Sequence, residues 1–165
     1  MDKVIPAIIV AVILVVALGL MVLGWRARQR RQITLPEPHR VPGSLGTVLG
    51  EFETFYVATT MAGDPLNRVA VQGLGFRAKA FVVVTADGVI VPIDGQPDIF
   101  IPVADIRDVS LATWTIDRVV ERDGLILIAW TLGDTGVDSY FRAEEPQGFL
   151  AALTSLRSTI ESDSQ

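Results

Sequence analysis

The sequence contains no cysteine and only one histidine, His39. Without cysteine there is no disulfide framework, no thiolate nucleophile and no thiolate ligand for a metal. One histidine cannot complete a multi-histidine zinc site, and its proline-rich surroundings carry no partners for a Ser-His-Asp triad. The residues therefore predict a protein that is not an enzyme and that carries no cofactor and no metal. The missing disulfides also fit a cytoplasmic domain.

Basic residues are scarce in the larger part of the chain. Beyond residue 39, nine lysine and arginine residues stand against seventeen aspartate and glutamate residues, which gives this part a net charge of −8. Such a surface repels polyanions, because non-specific nucleic-acid binding depends on neutralising phosphates. We therefore expect no nucleic-acid partner.

Charged residues are missing from residues 4–25, which read VIPAIIVAVILVVALGLMVLGW. A helix of these 22 residues, at about 1.5 Å of rise per residue, reaches roughly 33 Å. That length is enough to cross the hydrocarbon core of a bilayer. The pattern predicts a transmembrane helix over 4–25, after a short tail of residues 1–3.

A cleaved signal peptide is the alternative interpretation of this run. Asp2 and Lys3 would form its charged start, and Ala-Leu-Gly at 17–19 would offer a cleavage site of small residues. However, the apolar run continues through residues 20–23 and ends in arginines, as a stop-transfer segment does. We therefore favour one uncleaved span.

The charges that flank the span predict its orientation. Four arginines follow it and one lysine precedes it: Arg26, Arg28, Arg30 and Arg31 against Lys3. Because lysine and arginine accumulate on the cytoplasmic side, we expect the N-terminus outside the plasma membrane and the C-terminal domain in the cytoplasm. Trp25 stands at the junction, where an indole favours the headgroup region, and we expect it to anchor the membrane interface together with these arginines.

Prolines separate the span from the remainder of the chain. Residues 32–48, QITLPEPHRVPGSLGTV, contain three prolines and two glycines without helical or strand periodicity. Such a composition is typical of an extended linker. We therefore predict a linker over 26–48, basic at first and then rich in proline.

From residue 51 onward, short runs of β-branched and aromatic residues alternate with turn signals. The runs predict seven strands, over residues 51–57, 79–85, 89–91, 99–101, 106–111, 125–131 and 137–142. Asp-Gly pairs, which are strong hairpin signals, stand at 87–88, 94–95 and 123–124. Residues 113–120 lead into the last of these turns. The pattern predicts an antiparallel, mainly β domain.

One helix is predicted after the last strand. Pro146 suits a first helical position, and Glu144 and Glu145 complement the positive end of the helix dipole. Apolar residues then recur at intervals of three and four residues: Phe149, Leu150, Leu153, Leu156 and Ile160. This stripe is typical of a helix that packs against a core. Residues 161–165 form a polar tail.

The stretch VAVQGLGFRAKAF, residues 69–81, matches the glycine-rich fingerprint of dinucleotide-binding proteins, G-x-G-x-x-A. That fingerprint binds pyrophosphate only where a long helix starts directly after it. Here Phe-Val-Val-Val-Thr at 81–85 and a hairpin follow instead. We therefore predict no nucleotide partner, and we expect a bend or bulge at the glycines.

The order of seven antiparallel strands and one C-terminal helix resembles a pleckstrin-homology-like (PH-like) domain. The chain, over residues 1 to about 160, is also similar to a family of bacterial single-pass proteins that are often labelled membrane, export or transporter proteins. Four stretches carry the resemblance: YVATT at 56–60, DPLNR at 64–68, GLGFR at 73–77 and ATWTIDR at 112–118. The resemblance implies architecture and not mechanism.

That architecture is an N-terminal transmembrane helix, a PH-like antiparallel β-barrel of about seven strands, and a C-terminal α-helix. The resemblance implies a PH-like domain over residues 49–160. In this fold two near-orthogonal sheets leave one open corner, and the helix closes it. Phe149, Leu153 and Leu156 would fill that corner here.

Three functions remain open for such a domain. The first is a membrane-anchored interaction module, an adaptor or scaffold without catalysis, which docks another protein or a peptide on a strand edge or a helix face. The second is the binding of an anionic lipid or a phosphorylated ligand. The third is an accessory subunit of an envelope or transport complex, recruited through residues 4–25.

Three cations motivate the second function, because they stand where PH domains that bind phosphoinositides carry basic residues: Arg68, Arg77 and Lys79. Surface cations beside many carboxylates commonly form ion pairs instead. We therefore favour the interaction module, with the membrane and another protein as its partners.

Overall fold

The computed structural model of the protein describes residues 4–32, 35–112 and 124–163, with side chains placed over 5–27, 35–112 and 124–158. The chain divides into two compact units, Met1–Thr34 and Leu35–Gln165. The predicted approach to a turn at 113–120 lies outside the described residues.

The first unit contains helix α1, Val4–Gln32. Its stretch Ile5–Ala27 is long and apolar enough to cross a membrane, with a mean hydropathy of 3.1, and its side chains are exposed. The helix continues past residue 25 through the arginine-rich segment that was expected to begin the linker. The reason is local, since arginine, glutamine and alanine all favour helix and no glycine or proline interrupts them.

The second unit is built on one antiparallel sheet of eight strands. The strands are β1 Val48–Met61, β2 Asp64–Arg68, β3 Ala78–Thr85, β4 Gly88–Val91, β5 Ile99–Pro102, β6 Ile106–Ala112, β7 Leu125–Leu132 and β8 Thr135–Ala143. Seven of them follow the order β5-β4-β3-β1-β8-β7-β6, and β2 pairs with β1. This arrangement confirms the mainly antiparallel fold.

Strand β1 organises the sheet because it is long enough to pair with different strands along its length. Its first part pairs with β3, from Val48 to Tyr56, and its second part pairs with β8, from Thr54 to Met61. A β-bulge between Tyr56 and Ala58 lies on the β8 side. Bulges bend a strand and increase its twist, which lets β1 belong to both halves of the sheet.

The eighth strand, β2, was not predicted. Its sequence, Asp-Pro-Leu-Asn-Arg, has no alternation of apolar and polar residues and contains a proline. Proline is compatible with edge strands only, because it lacks the N–H that an inner strand must donate. Accordingly, β2 touches β1 at two Cα partners, Thr60↔Arg68 and Met61↔Asp64.

The C-terminal helix α2, Pro146–Asp163, packs on the sheet as expected. Phe149, Leu153 and Leu156 are fully buried in the core. The Phe149 ring lies 5.9 Å from that of Phe141 in an edge-on contact and 5.1 Å from that of Phe52. The apolar stripe of α2 is therefore buried against the sheet, with Phe149 between side chains of β1 and β8.

Within the predicted linker, residues 35–39 pack against the rest of the second unit. Leu35 is buried, with 8% of its surface exposed, and belongs to the core cluster. The Phe100 N–H donates to the His39 carbonyl at 3.2 Å, which adds one bridge to the edge of β5. His39 Nε2 also lies 3.4 Å from an Asp105 carboxylate oxygen. This segment packs because an edge strand offers unpaired backbone groups and the core accepts a leucine.

Candidate functional site

The glycine-rich stretch forms a compact loop and not the start of a helix, and β3 follows it directly. Gln72 and Gly73 have positive φ angles of 57° and 78°. At Gly75, a Cβ atom would lie 3.1 Å from the Ala70 Cα, so only glycine fits without a shift of the backbone. Between these glycines Leu74 is buried, with 1% of its surface exposed. The expected bend at the glycines is present, and its purpose is to insert a leucine into the core.

A directional chain of hydrogen bonds holds this loop on the sheet. The Leu74 carbonyl can only accept, so the Tyr56 hydroxyl donates to it at 3.0 Å. The Thr59 hydroxyl then donates to Tyr56 at 2.6 Å, and the Ser139 hydroxyl donates to Thr59 at 2.6 Å. Trp130 Nε1, which can only donate, completes the chain by donating to Ser139 at 2.9 Å. Every member is buried, and each hydroxyl both donates and accepts.

Burial changes the acidity of both tyrosines. Desolvation raises the pKa of Tyr56 far above its ordinary value, although the hydrogen bond from Thr59 and the charge of Arg68 oppose this shift. Desolvation also raises the pKa of Tyr140, against a hydrogen bond from Thr60. Each phenol is therefore neutral at physiological pH and suited to a structural role.

The three predicted anion contacts take different positions. Arg68 Nη2 donates to the Val57 carbonyl at 3.2 Å and to the Gly75 carbonyl at 3.1 Å, so it ties the loop to β1. Arg77 is exposed directly before β3, and Lys79 is exposed within β3. Lys79 lines a groove that includes neither of the two arginines. A joint contact of the three cations with an anion stays a prediction.

The predicted membrane anchors lie in α1. Trp25 and Arg26 are exposed on the helix, and Arg28, Arg30 and Arg31 continue it. Their contact with a membrane interface stays a prediction.

A groove of about 610 Å³ lies on the outward surface of β3, β1 and β8, which we call the outer face. Two rows of side chains cross these strands. The basic row is Lys79, Phe55 and Arg142, because both cations are Cα partners of Phe55. The acidic row is Phe81, Glu53 and Glu144, because Phe81 is the Cα partner of Glu53 and the Glu144 N–H donates to the Glu53 carbonyl at 3.1 Å. Asp94 also lines the groove.

The side chains of the outer face are open to contact. Phe55 and Phe81 are 38% and 48% exposed, whereas the residues between them in sequence, such as Thr54 and Ala80, are buried. None of the charged side chains of the two rows, nor Asp94, has an ion-pair partner within 4.0 Å in the part of the chain that the structure describes. Aromatic residues and arginine are enriched at protein interfaces.

Sequence reasoning did not identify this face. Its signal was the alternation Glu53, Thr54, Phe55 in the first predicted strand, which places Glu53 and Phe55 on the outward side. Lys79 was noted as a candidate, but Arg142 was not, because the register that brings β8 beside Phe55 connects positions far apart in sequence.

A second groove of about 570 Å³ lies where residues 37–41 pass the loops 72–73 and 96–99. Glu37, Arg40 and Asp98 line this groove, so its charges are mixed. Among the described residues, no group of three or more histidine or acidic side chains could hold a metal ion.

Three solved structures show low similarity to this chain. The C-terminal domain of an unknown protein from Leishmania infantum is 15% identical, over 67% of this chain and 84% of that chain, with a TM-score of 0.45. Vav1 inhibited by an allosteric inhibitor is 11% identical, over 80% of this chain and 32% of that chain, with a TM-score of 0.45. The activated truncation of Vav1 is 9% identical, over 81% and 32%, with a TM-score of 0.45. The chain thus spans about a third of the Vav1 chains that it resembles.

A search of the curated proteins finds no match. The family comparison is informative, because residues 34–157, most of the chain, match the family described as bacterial PH domain-like. The matched range begins beside the buried Leu35 and extends to Arg157 in α2. This chain belongs to the bacterial PH domain-like family.

Proposed function

We propose that the protein is a membrane-tethered interaction module that works without catalysis. In this proposal α1 anchors the chain in the plasma membrane with its N-terminus outside. The PH-like domain lies at the cytoplasmic side and docks a protein on its outer face. The observation that carries the proposal is the outer face itself, where two exposed phenylalanines lie beside two cations without an ion-pair partner among the described residues.

The anchor is supported by composition. Ile5–Ala27 combines high mean hydropathy with exposed side chains, which water does not favour and lipid does. Four arginines stand after it and one lysine before it. This distribution favours a cytoplasmic C-terminal domain.

Docking on the outer face is supported by its chemistry. Covering a half-exposed phenylalanine removes apolar surface from water, at about 25 cal/mol per Å². The adjoining charges give direction to a partner, since complementary charges select partners and orient them more than they add affinity. A sheet surface with exposed phenylalanines beside charged side chains has the composition of a protein interface.

A protein fits this face better than an anionic lipid does. Glu53, Glu144 and Asp94 border the same groove as Lys79 and Arg142, and these three carboxylates repel an anionic bilayer. Arg68 is engaged with two backbone carbonyls and contributes to the fold. We therefore expect no flotation with anionic liposomes, whereas salt-sensitive binding that is lost in Arg68→Ala/Arg77→Ala/Lys79→Ala would favour the lipid function instead.

The anchor can be tested with reporters fused after Gln165. A reporter that is active only outside the cytoplasm should stay inactive, and a cytoplasmic reporter should be active and remain with the membrane fraction. Activity of the first reporter, or a mature N-terminus near residue 20, would contradict the proposed topology.

Docking can be tested with a photo-crosslinking amino acid at position 81 of the full chain in native membranes. We expect discrete protein adducts at this position. The matched control is position 66, because Leu66 is an equally apolar residue, 72% exposed, that does not line the groove. Equal adducts at both positions, or none at position 81, would contradict docking on the outer face.

A further inference from the structure

We infer that the partner on the outer face is a second copy of this chain, joined face to face about a two-fold axis. The inference rests on the proposed function, because it names the protein that the outer face docks. It is carried by the self-complementary order of charges in the two rows.

The rows have fixed spacings because they belong to one sheet. Neighbouring strands lie about 4.8 Å apart, and residues two positions apart in a strand are separated by about 6.8 Å. Lys79 and Arg142 therefore flank Phe55 in one line, and the acidic row runs parallel to that line one residue pair away. Within one molecule the two rows do not neutralise each other by ion pairs within 4.0 Å.

One possible two-fold axis runs parallel to the sheet and perpendicular to the strands, at a position between the two rows. Rotation about this axis places the basic row of one copy over the acidic row of the other. Each basic row then faces the acidic row of the other copy. Arg142 then meets Glu144 of the second copy, Lys79 meets Phe81, and Phe55 meets Glu53 between the two cations. A cation over an aromatic face is favourable, as is a pair of opposite charges.

The alternative two-fold axis, parallel to the strands, is excluded by charge. It would place the basic row on a basic row and the acidic row on an acidic row, and like charges in contact repel each other. The pattern therefore selects one isologous arrangement, in which each contact occurs twice and the assembly closes as a dimer. Two sheets that pack in this way lie about 10 Å apart.

Tethering explains why so small a surface suffices. A standard interface covers about 800 Å² on each partner, and the two rows span three strands only. Two copies held at one membrane meet at a raised effective concentration, which strengthens a weak contact without new interactions. The net charge of −8 opposes approach at long range, but at physiological ionic strength charges beyond about 8 Å are largely screened.

The experiment measures energy transfer between two fluorescent reporters, fused after Gln165 of separate full chains in the same membrane. We expect transfer for the wild type. The basic-row variant Lys79→Glu/Arg142→Glu and the acidic-row variant Glu53→Lys/Glu144→Lys should each reduce it by about tenfold, because each places like charges together. A mixture of the two variants should restore it, since a face with two acidic rows then meets a face with two basic rows.

Two controls exclude other causes of a loss. Asp64→Lys/Asp134→Lys changes the net charge as much as the acidic-row variant but lies outside the outer face, and it should leave transfer unchanged. Phe81→Ser should reduce transfer, whereas Leu66→Ser should not. This second pair keeps the test decisive if a charge-reversed chain fails to fold.

Transfer that persists in both row variants, or a mixture that restores none, would overturn the dimer. Absent transfer in the wild type would do the same. If position 81 then still forms adducts with a different protein, the proposed docking function stands and the second-copy inference falls. If position 81 forms no adducts, both fall.

Discussion

The Tyr56 hydroxyl donates to the Leu74 carbonyl at 3.0 Å and thereby fixes the glycine-rich loop to the central strand. Arg68 supports the same loop from its other side by donating to the Gly75 carbonyl. The sequence stretch that matches the glycine-rich fingerprint is therefore tied to the sheet, and its Leu74 belongs to the core. Its glycines allow the chain to turn so that Leu74 enters the core and its carbonyl meets a tyrosine.

Breaking this hydrogen bond should destabilise the domain. In Tyr56→Phe the buried Leu74 carbonyl loses its donor, and the free energy of unfolding should fall by about 1–3 kcal/mol. Ser139→Ala should have a similar effect, because it removes the hydroxyl that links Trp130 to Thr59 in the same series of hydrogen bonds. Denaturant unfolding of residues 35–163 gives both values. In the double variant the two losses should not add, since they belong to one network; strict additivity would contradict the chain.

Stability should decrease at alkaline pH because of the tyrosines. Burial raises the pKa of Tyr56 above its ordinary value of 10.0, so the unfolded chain releases the phenolic proton first. Below pH 10.0 the phenol is neutral in both states, and Tyr56 does not lower the free energy of unfolding. As the pH rises above that value toward the folded-state pKa, ionisation of the unfolded chain progressively lowers the free energy of unfolding. Unfolding measured from neutral pH to about pH 11 should show the decline.

Replacement of the phenol is the matched control for this decline. The chain has two tyrosines, so the slope in Tyr56→Phe should be smaller, with a remainder from Tyr140. A slope that is unchanged in Tyr56→Phe would mean that Tyr56 is not buried in a neutral form.

Alanine should be tolerated at some glycines and not at others. Gly75→Ala places a Cβ 3.1 Å from the Ala70 Cα, and Gly73→Ala requires a side chain at φ 78°. Each should lower the free energy of unfolding by about 1 kcal/mol or more. Gly43→Ala is the control, because no atom lies within 4 Å of its added Cβ, and it should be neutral or slightly stabilising. Equal effects at all three positions would contradict the described loop.

The segment before β1 should contribute to stability although it was expected to be a linker. A fragment that starts at residue 35 keeps the buried Leu35 and the bridge at His39, whereas one that starts at residue 45 loses both. Burial of a leucine contributes about 1.5–3 kcal/mol. We expect the longer fragment to be more stable by a similar amount in thermal unfolding. Equal stability would mean that residues 35–44 do not pack.

Local patterns were sufficient to predict most of the elements of this fold. Runs of β-branched and aromatic residues, together with Asp-Gly turns, located β3, β4, β7 and β8, and a stripe of apolar residues located α2. Strand β2 was not predicted, because an edge strand that buries little surface needs no alternation of apolar residues. The residue at which α1 ends was not predicted, because arginines that follow a membrane span are compatible with both a helix and a linker.

The candidate site was much less accessible to sequence reasoning. Thr59 and Ser139 bond to each other across 80 positions, and no local pattern reports such a pair. Arg142 joins Lys79 beside Phe55 only through the registers of two strand pairs. Arg68 was selected as a candidate anion contact, but the sequence could not indicate that its guanidinium also bonds two backbone carbonyls.

The most direct measurement of the central claim is the accessibility of the outer face in native membranes. The chain has no cysteine, so Asp94→Cys and Leu66→Cys each introduce a single reactive thiol. Asp94 is exposed and lines the groove without belonging to either row. A docked protein should slow maleimide labelling at position 94 in membranes relative to the full chain dispersed in detergent, and position 66 should label at the same rate in both. Equal rates at position 94 in the two preparations would contradict a protein on the outer face.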